Sequence, residues 1–363
     1  MPTRWYAADE CDLTALVAEV EAGFDVSRFA LADRVERGAL VYDTDHLRAA
    51  AASPSGRAAV LAELADAFGD AGPGIAVFTG AFEPHVVDAA SAAFRAMIDE
   101  QHRLGAQSGD HFAAPGANDR VWNALEKLAV LAPEAFADYY ANDVIAMVSE
   151  AWLGPWYQVT SQVNVVNPGG QAQAPHRDYH LGFQGDAEAS RFPPHAHRLS
   201  AALTLQGAVA HCDMPVESGP TLYLPNTHRY PAGYLAWRRP DFARYFAEHH
   251  VQVPLHLGDA VFFNPALLHA AGTNRTSDIR RMANLLQISS AMGRAMESVD
   301  RARMSRALYP TLLRWTVNGV DPAVIGRVVA ASAEGYPFPT NLDRDPPIGG
   351  LAPPSQADVV LAA

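Results

Sequence analysis

Apolar residues recur every three to four positions through "DLTALVAEVEAGF" and "DHLRAAAASPSGRAAVLAELADAFGDAG". That period predicts that residues 1–72 are mostly helical, with Asp at the N-caps. "GPGIAVFTGAFEP" predicts a short strand closed by a turn, and "EPHVVDAASAAFRAMIDEQ" a helix with Pro84 in its first turn. Two further helices are expected near 118–130 and 134–152. From about residue 156 the pattern changes. "YQVTSQVNVV", "RLSAALTLQGAV", "TLYLPNTH", "VQVPLHL", "AVFFNP" and "RRMANLLQIS" are short and rich in β-branched, aromatic and Leu residues. Gly, Pro, Asn or Asp separates them, a rhythm that fits a sandwich or jelly roll. Helix returns after 295, and the Pro/Gly-rich tail from "YPFPTN" onward reads as irregular. The expected fold is a mainly β core with flanking helices. Its domains are a helical N-terminal extension (1–72), a β domain (73–295) and C-terminal helices with a tail (296–363).

Composition narrows the function. The 363 residues are 49% hydrophobic and carry a net charge of -13. A nucleic-acid partner would need a basic stripe, and the sequence has none. Only Cys11 and Cys212 are present, too few for a disulfide framework, so a reducing, cytoplasmic setting is expected. The N-terminus lacks a basic-then-apolar leader, and no run is long enough to span a membrane. Oligomeric state is open, a homo-oligomer included. Lys127 is the single lysine, which leaves Arg as the main fixed cation.

"APHRDYH" contains His176, Arg177 and Asp178. On a strand, residues i and i+2 face one side, so this pair can converge on one metal ion. Two His and one carboxylate with open positions form the non-haem Fe(II) oxygenase site. The motif is weak by itself, because His211-Cys212-Asp213 repeats the spacing. A third ligand has to come from elsewhere, and His269, after the strand-like run closed by Asn264-Pro265, is a candidate. His195 and His197 form the His-x-His of a cupin, but no Glu follows at the expected spacing.

"GIAVFTGAFEP", "APHRD", "ESGPTLYLPNTH" and "GDAVFFNPALLHAAGTNRTSDIRRMANLLQIS" occur in the order and rough spacing of one family. Over about residues 73–290 the chain resembles the phytanoyl-CoA dioxygenase-like family of Fe(II)- and 2-oxoglutarate-dependent oxygenases. The resemblance implies a double-stranded β-helix (jelly roll, cupin-like). It implies that His176, Asp178 and His269 hold Fe(II), and that His211-Cys212-Asp213 is a turn feature. It also implies a cationic anchor for the far carboxylate of 2-oxoglutarate, for which Arg is suited by its bidentate fork. Only one of Arg280 and Arg281 can point inward, and the resemblance selects Arg280, eleven residues past His269. Asn164 matches a position that hydrogen-bonds the cosubstrate, with Gln162 and Asn167 competing. Where the family often has Ser, Ala271 stands, and Thr273 is the substitute. Asp178 fills the place that related halogenases leave to chloride, so O2-dependent hydroxylation or desaturation of a small molecule is expected, with succinate and CO2 released. The alternative is a cupin-like metal-dependent hydrolase or isomerase on the same three ligands.

Other polar residues have plainer readings. Tyr179 is expected to pack away from the site, and His228 and the Gly219-Pro220 and Gly258-Asp259 pairs to be structural. His249 and His250 mark a helix end. The long segment 183–198 reads as a lid loop over the site, with Arg191 and Arg198 either meeting an anionic substrate or solvated. The substrate is not specified: an acyl-CoA, an amino acid and a secondary metabolite all remain open.

Overall fold

Eleven strands form in the computed structural model, which describes residues 5–105 and 117–363. They are β1 (Arg34–Glu36), β2 (Ala39–Asp43), β3 (Ile75–Thr79), β4 (Asn118–Val121), β5 (Gln158–Val166) and β6 (Thr204–Ala210), followed by β7 (Leu222–Leu224), β8 (Val251–Gln252), β9 (Ala260–Phe263), β10 (Leu268–Ala270) and β11 (Arg281–Ser289). Eight of them make one mixed sheet in the order β1-β2-β3-β9-β6-β11-β5-β4. The other three make a second sheet, β10-β7-β8. All pairs are antiparallel except β2 with β3.

Strand alternation sorts the large sheet into two faces. Leu205, Val209, Phe262, Met282, Leu286 and Ile288 join the main core, packed against the helices Pro54–Phe68, Pro84–Arg103 and Asp143–Leu153. Their neighbours on the same strands point the other way. Ala208, Ala210, Val261 and Phe263 join Tyr223 and Leu255 in a second apolar cluster between the sheets. Buried on both sides, the central strands read as near-continuous apolar runs. Among the described residues, fourteen α-helices accompany this pair of sheets, so helix is more abundant than a mainly β reading expects. No helix among the described residues is long and apolar enough to cross a membrane.

The helical expectation for 1–72 needs correction at 34–43. Arg37 and Gly38 both have positive φ (51° and 82°), the geometry of a two-residue hairpin turn. The hairpin adds β1 and β2 to the edge of the large sheet. Residues 118–121, expected as helix, form edge strand β4, and the helix starts at Ala124. The segment expected as one helix over 134–152 is two, broken at Asn142, whose side chain caps the second. "RLSAA" closes the helix Pro194–Ala202 before β6 begins. At 34–43 and 118–121 tertiary pairing overrides a local pattern that serves helix and strand equally.

Gly258 behaves as expected of a turn glycine: its φ is +89°, and an added Cβ would lie 2.5 Å from the Phe82 carbonyl oxygen. That oxygen belongs to backbone locked by Phe82 N–H donating to Gly258 O. We predict that Gly258→Ala lowers unfolding stability by about 1–3 kcal/mol. A shift in urea midpoint measures it, and an unchanged midpoint refutes it.

Candidate active site

His176 lies outside the named strands but is paired, antiparallel, with His269 of β10. Each backbone N–H donates to the other's carbonyl, at 2.9 and 3.1 Å. Directly opposed residues of such a pair project to the same face. The two rings therefore meet, with centroids 4.5 Å apart. Two residues on, Asp178 N–H donates to Pro265 O (3.1 Å), and the carboxylate returns to that face. Its oxygens lie 3.8 Å from His176 Nε2 and 3.4 Å from His269 Nε2. The three potential ligand atoms all lie within 4.8 Å of one another.

Each imidazole is held in one tautomer. His176 Nδ1 is 2.9 Å from Ala174 O, and His269 Nδ1 is 2.9 Å from Leu267 O. A carbonyl only accepts, so each Nδ1 carries the proton and each Nε2 presents its lone pair to the centre. Gln206 Nε2 donates to Asp178 Oδ2 at 2.5 Å. Burial pushes the Asp178 carboxyl up, but the facing imidazoles and this amide overcome it and hold the group at about 2. Two imidazoles and an ionised carboxylate, with room on the far side, fit Fe(II).

Arg177 points the opposite way and is 2% exposed. Its guanidinium donates to the carbonyls of Thr227 and of Tyr230 (3.1 Å) and lies over the Tyr234 ring. Gly233 leaves it room, since a Cβ there would sit 1.8 Å from Arg177 Cζ. Burial draws its pKa down to about 10, so it stays charged at neutral pH. Arg177 is thus a latch that fixes the segment carrying both neighbouring ligand candidates. Replacing it with Met removes two charge-assisted hydrogen bonds, worth about 1.5–3 kcal/mol each, although Tyr230 N–H and Gly233 N–H still donate to the two carbonyls. We expect Arg177→Met to lower the urea midpoint and to weaken iron binding by about 10- to 100-fold. Unchanged iron affinity would refute the latch.

The three side chains open on a cavity of about 200 Å³ between the sheets. Its wall includes Asn164 of β5, Gln206 of β6, Gln287 of β11 and the apolar Phe263. Asn164 lies opposite Ala283 in the β5–β11 register. Arg281, the first residue of β11, is also on the wall and is 7% exposed. No described residue offers its guanidinium a hydrogen bond or ion pair. Burial lowers its pKa to about 10, which leaves it protonated. A desolvated cation without a counterion costs several kcal/mol. That orphaned charge fits the far carboxylate of 2-oxoglutarate.

The expectation for Arg280 is therefore corrected. Its side chain is 59% exposed and binds Asn167 Oδ1 (3.1 Å) and Asp119 Oδ2 (3.0 Å) on the outside of the sheet. On β11 the odd positions 281, 283, 285 and 287 face the cavity. The ten residues between β10 and β11 reset strand parity, so a spacing counted from His269 does not carry it. Asn167 goes outward with Arg280, while Gln162 joins Asn164 on the cavity wall. Thr273 is not on that wall, whereas Ala271 is. Its hydroxyl accepts from Ala172 N–H (3.0 Å) and ties the loop before His176 to the loop after His269.

Tyr179 also departs from expectation. Its φ of +61°, followed by +47° at His180, turns the chain so that Tyr179 lines the cavity. His180 instead lies 3.3 Å from the Thr204 hydroxyl, off the wall. Nothing local in the sequence announces such a conformation, which costs about 1–3 kcal/mol per residue. The lid segment is short helices, Asp186–Ala189 and Pro194–Ala202, rather than open loop. Phe183 contributes to the wall, while Arg191 pairs with Glu188. His197 is buried against Ala189 O, and His228 against Gly69 O. His211 sits between Ser91 Oγ (2.8 Å) and Tyr139 OH (2.9 Å), with burial holding it neutral near a pKa of about 3. Asp213 is mostly exposed and accepts from Leu257 N–H. The second His-x-Asp is thus split between core and surface.

A family model described as phytanoyl-CoA dioxygenase (PhyH) matches residues 72–282. No curated protein matches the chain. Among solved structures, similarity is found to the non-heme alpha ketoglutarate dependent epimerase SnoN from nogalamycin biosynthesis. That match has 24% identity and a TM-score of 0.42, and covers 64% of this chain and 84% of that one. The same epimerase in complex with Fe3+, alpha ketoglutarate and nogalamycin RO matches at 22% identity and a TM-score of 0.42, covering 64% and 85%. The non-heme alpha ketoglutarate dependent carbocyclase SnoK matches at 20% identity and a TM-score of 0.46, covering 67% and 89%. With more than half of its length matched by the family model, this chain belongs to the phytanoyl-CoA dioxygenase family, whose members depend on Fe(II) and 2-oxoglutarate.

Proposed function

We propose that the protein hydroxylates an unactivated C–H bond of a small molecule, on a distorted double-stranded β-helix made by the two facing sheets. His176, Asp178 and His269 are the metal ligands, Arg281 is the cosubstrate anchor and Asn164 is an amide contact to the same cosubstrate. The observation that carries this reading is the pairing of a His/Asp/His cluster with a buried, partnerless Arg281 in one cavity. A hydrolase or isomerase using the same ligands has no use for such a cation.

Bound iron would let O2 act as the oxidant, with two electrons coming from 2-oxoglutarate as it becomes succinate and CO2 and two from the C–H bond of the substrate. The chain's own contributions are positional and electrostatic. The two Nδ1–H···O=C bonds keep both imidazoles aimed at one point. Gln206 steadies the carboxylate, and Arg281 orients the cosubstrate from the far side of the cavity. Phe263, Val261 and Leu255 keep that space poor in water, which strengthens each charged contact. Asp178 completes the ligand set, which favours hydroxylation or desaturation over halide transfer. Iron titration under argon followed by admission of air tests the reading. One iron per chain and 2-oxoglutarate-dependent succinate release support it. An iron-loaded protein that forms no succinate from 2-oxoglutarate in air sinks it.

A further inference from the structure

We infer that the substrate carries a neutral hydrogen-bond donor, a hydroxyl or an amide N–H, which Gln206 and Gln287 receive beside the metal ligands; this rests on the oxygenase reading above. Both glutamines lie on the cavity wall, 6% and 5% exposed. They are direct cross-strand partners of β6 and β11, so their side chains share a face.

The orientation of Gln206 follows from chemistry. An ionised carboxylate only accepts, so the amide nitrogen must be the end that meets Asp178. The amide oxygen is then turned away from Asp178, and it has no donor. Gln287 Oε1 is likewise buried without a donor. An unmet buried acceptor costs about 1–3 kcal/mol, and folded proteins keep few of them. Two on adjacent strands, next to the reactive centre, fit a ligand that brings donors.

Charge then selects among donors. Asp178 is the one carboxylate on the cavity wall among the described residues, and the metal claims it. An ammonium would enter with no counterion and lose its hydration. A hydroxyl or amide N–H satisfies the same oxygens without that loss. Size adds a limit. A cavity of about 200 Å³ lies below the ~300–1,000 Å³ of common ligand pockets and must also hold the cosubstrate. The substrate is compact, or only its reacting end enters.

The test uses the full chain loaded with Fe(II) and 2-oxoglutarate under argon. Matched probes are titrated by calorimetry and by fluorescence of Trp122, which lies on the cavity wall. The sets are cyclohexanol against methylcyclohexane and cyclohexylammonium, and 2-pyrrolidone against cyclopentane. The donor member of at least one set is expected to bind 10-fold or more tighter than its counterparts. That preference should vanish in Gln287→Leu and Gln287→Met while iron and 2-oxoglutarate still bind. Equal binding within every set, no binding by any donor, or a preference that survives both substitutions overturns the inference. If the unmodified protein binds neither iron nor 2-oxoglutarate, the oxygenase reading fails first and takes this inference with it.

Discussion

Arg281→Leu is expected to raise the KM for 2-oxoglutarate by about 100- to 1,000-fold, while Arg280→Leu changes it less than about twofold. The first would remove the buried cation proposed to hold the cosubstrate carboxylate, a loss of about 3–4 kcal/mol. The second removes an exposed ion pair with Asp119, worth about 0–1 kcal/mol. Arg281→Lys should fall between them, since it keeps the charge but not the planar fork. A second readout separates anchoring from general damage. Without cosubstrate, Arg281 is a desolvated cation with no partner, so Arg281→Leu should unfold at the same or a higher urea concentration than the parent. A collapse in stability, or a KM shift caused by Arg280→Leu instead, would reassign the anchor.

Asp178→Ala should reduce iron affinity by more than about 100-fold and bring succinate formation to background. Loss of an outer partner of a metal ligand costs about 10- to 100-fold, so loss of one of three ligands costs more. The substitution also deprives Gln206 of its acceptor and leaves two imidazoles to carry the ion. Asp178→Asn, which keeps the shape and removes the charge, should fail in the same direction. The matched control is Asp213→Ala in the second His-x-Asp, because Asp213 faces solvent far from any imidazole pair that converges with it. Anaerobic iron titration of the three variants decides the matter. Iron binding retained by Asp178→Ala and lost in Asp213→Ala would reverse the choice between the motifs.

Much of the site was legible because its chemistry is local. His176 and Asp178 are two apart, and two residues of extended chain reach one face whatever the rest of the fold does. His269 followed from its setting between two strand-like runs, and the backbone pair with His176 joins the sites that this setting suggested. Parity was harder. Arg280 and Arg281 are chemically identical neighbours, and which of them faces inward depends on how β11 docks between β5 and β6. Thr273 failed for a related reason, since the turn after β10 carries its hydroxyl onto Ala172. Tyr179 was read from regular alternation that two consecutive left-handed residues break. Strands β1, β2 and β4 were missed because short segments suit a helix locally and become strands only when a neighbour supplies hydrogen bonds.

The amino-acid order alone determined the helices at 84–103 and after 300, and the nearness of His176 to Asp178 on one face. Each depends on contacts within a few residues, where period and residue type are sufficient. The three-dimensional fold decided which arginine is entombed, which glutamines face each other, and which His-x-Asp finds a third partner. Those outcomes come from pairing between strands as far apart as Gln158 and Ser289, where a one-residue change of register turns every side chain to the opposite face.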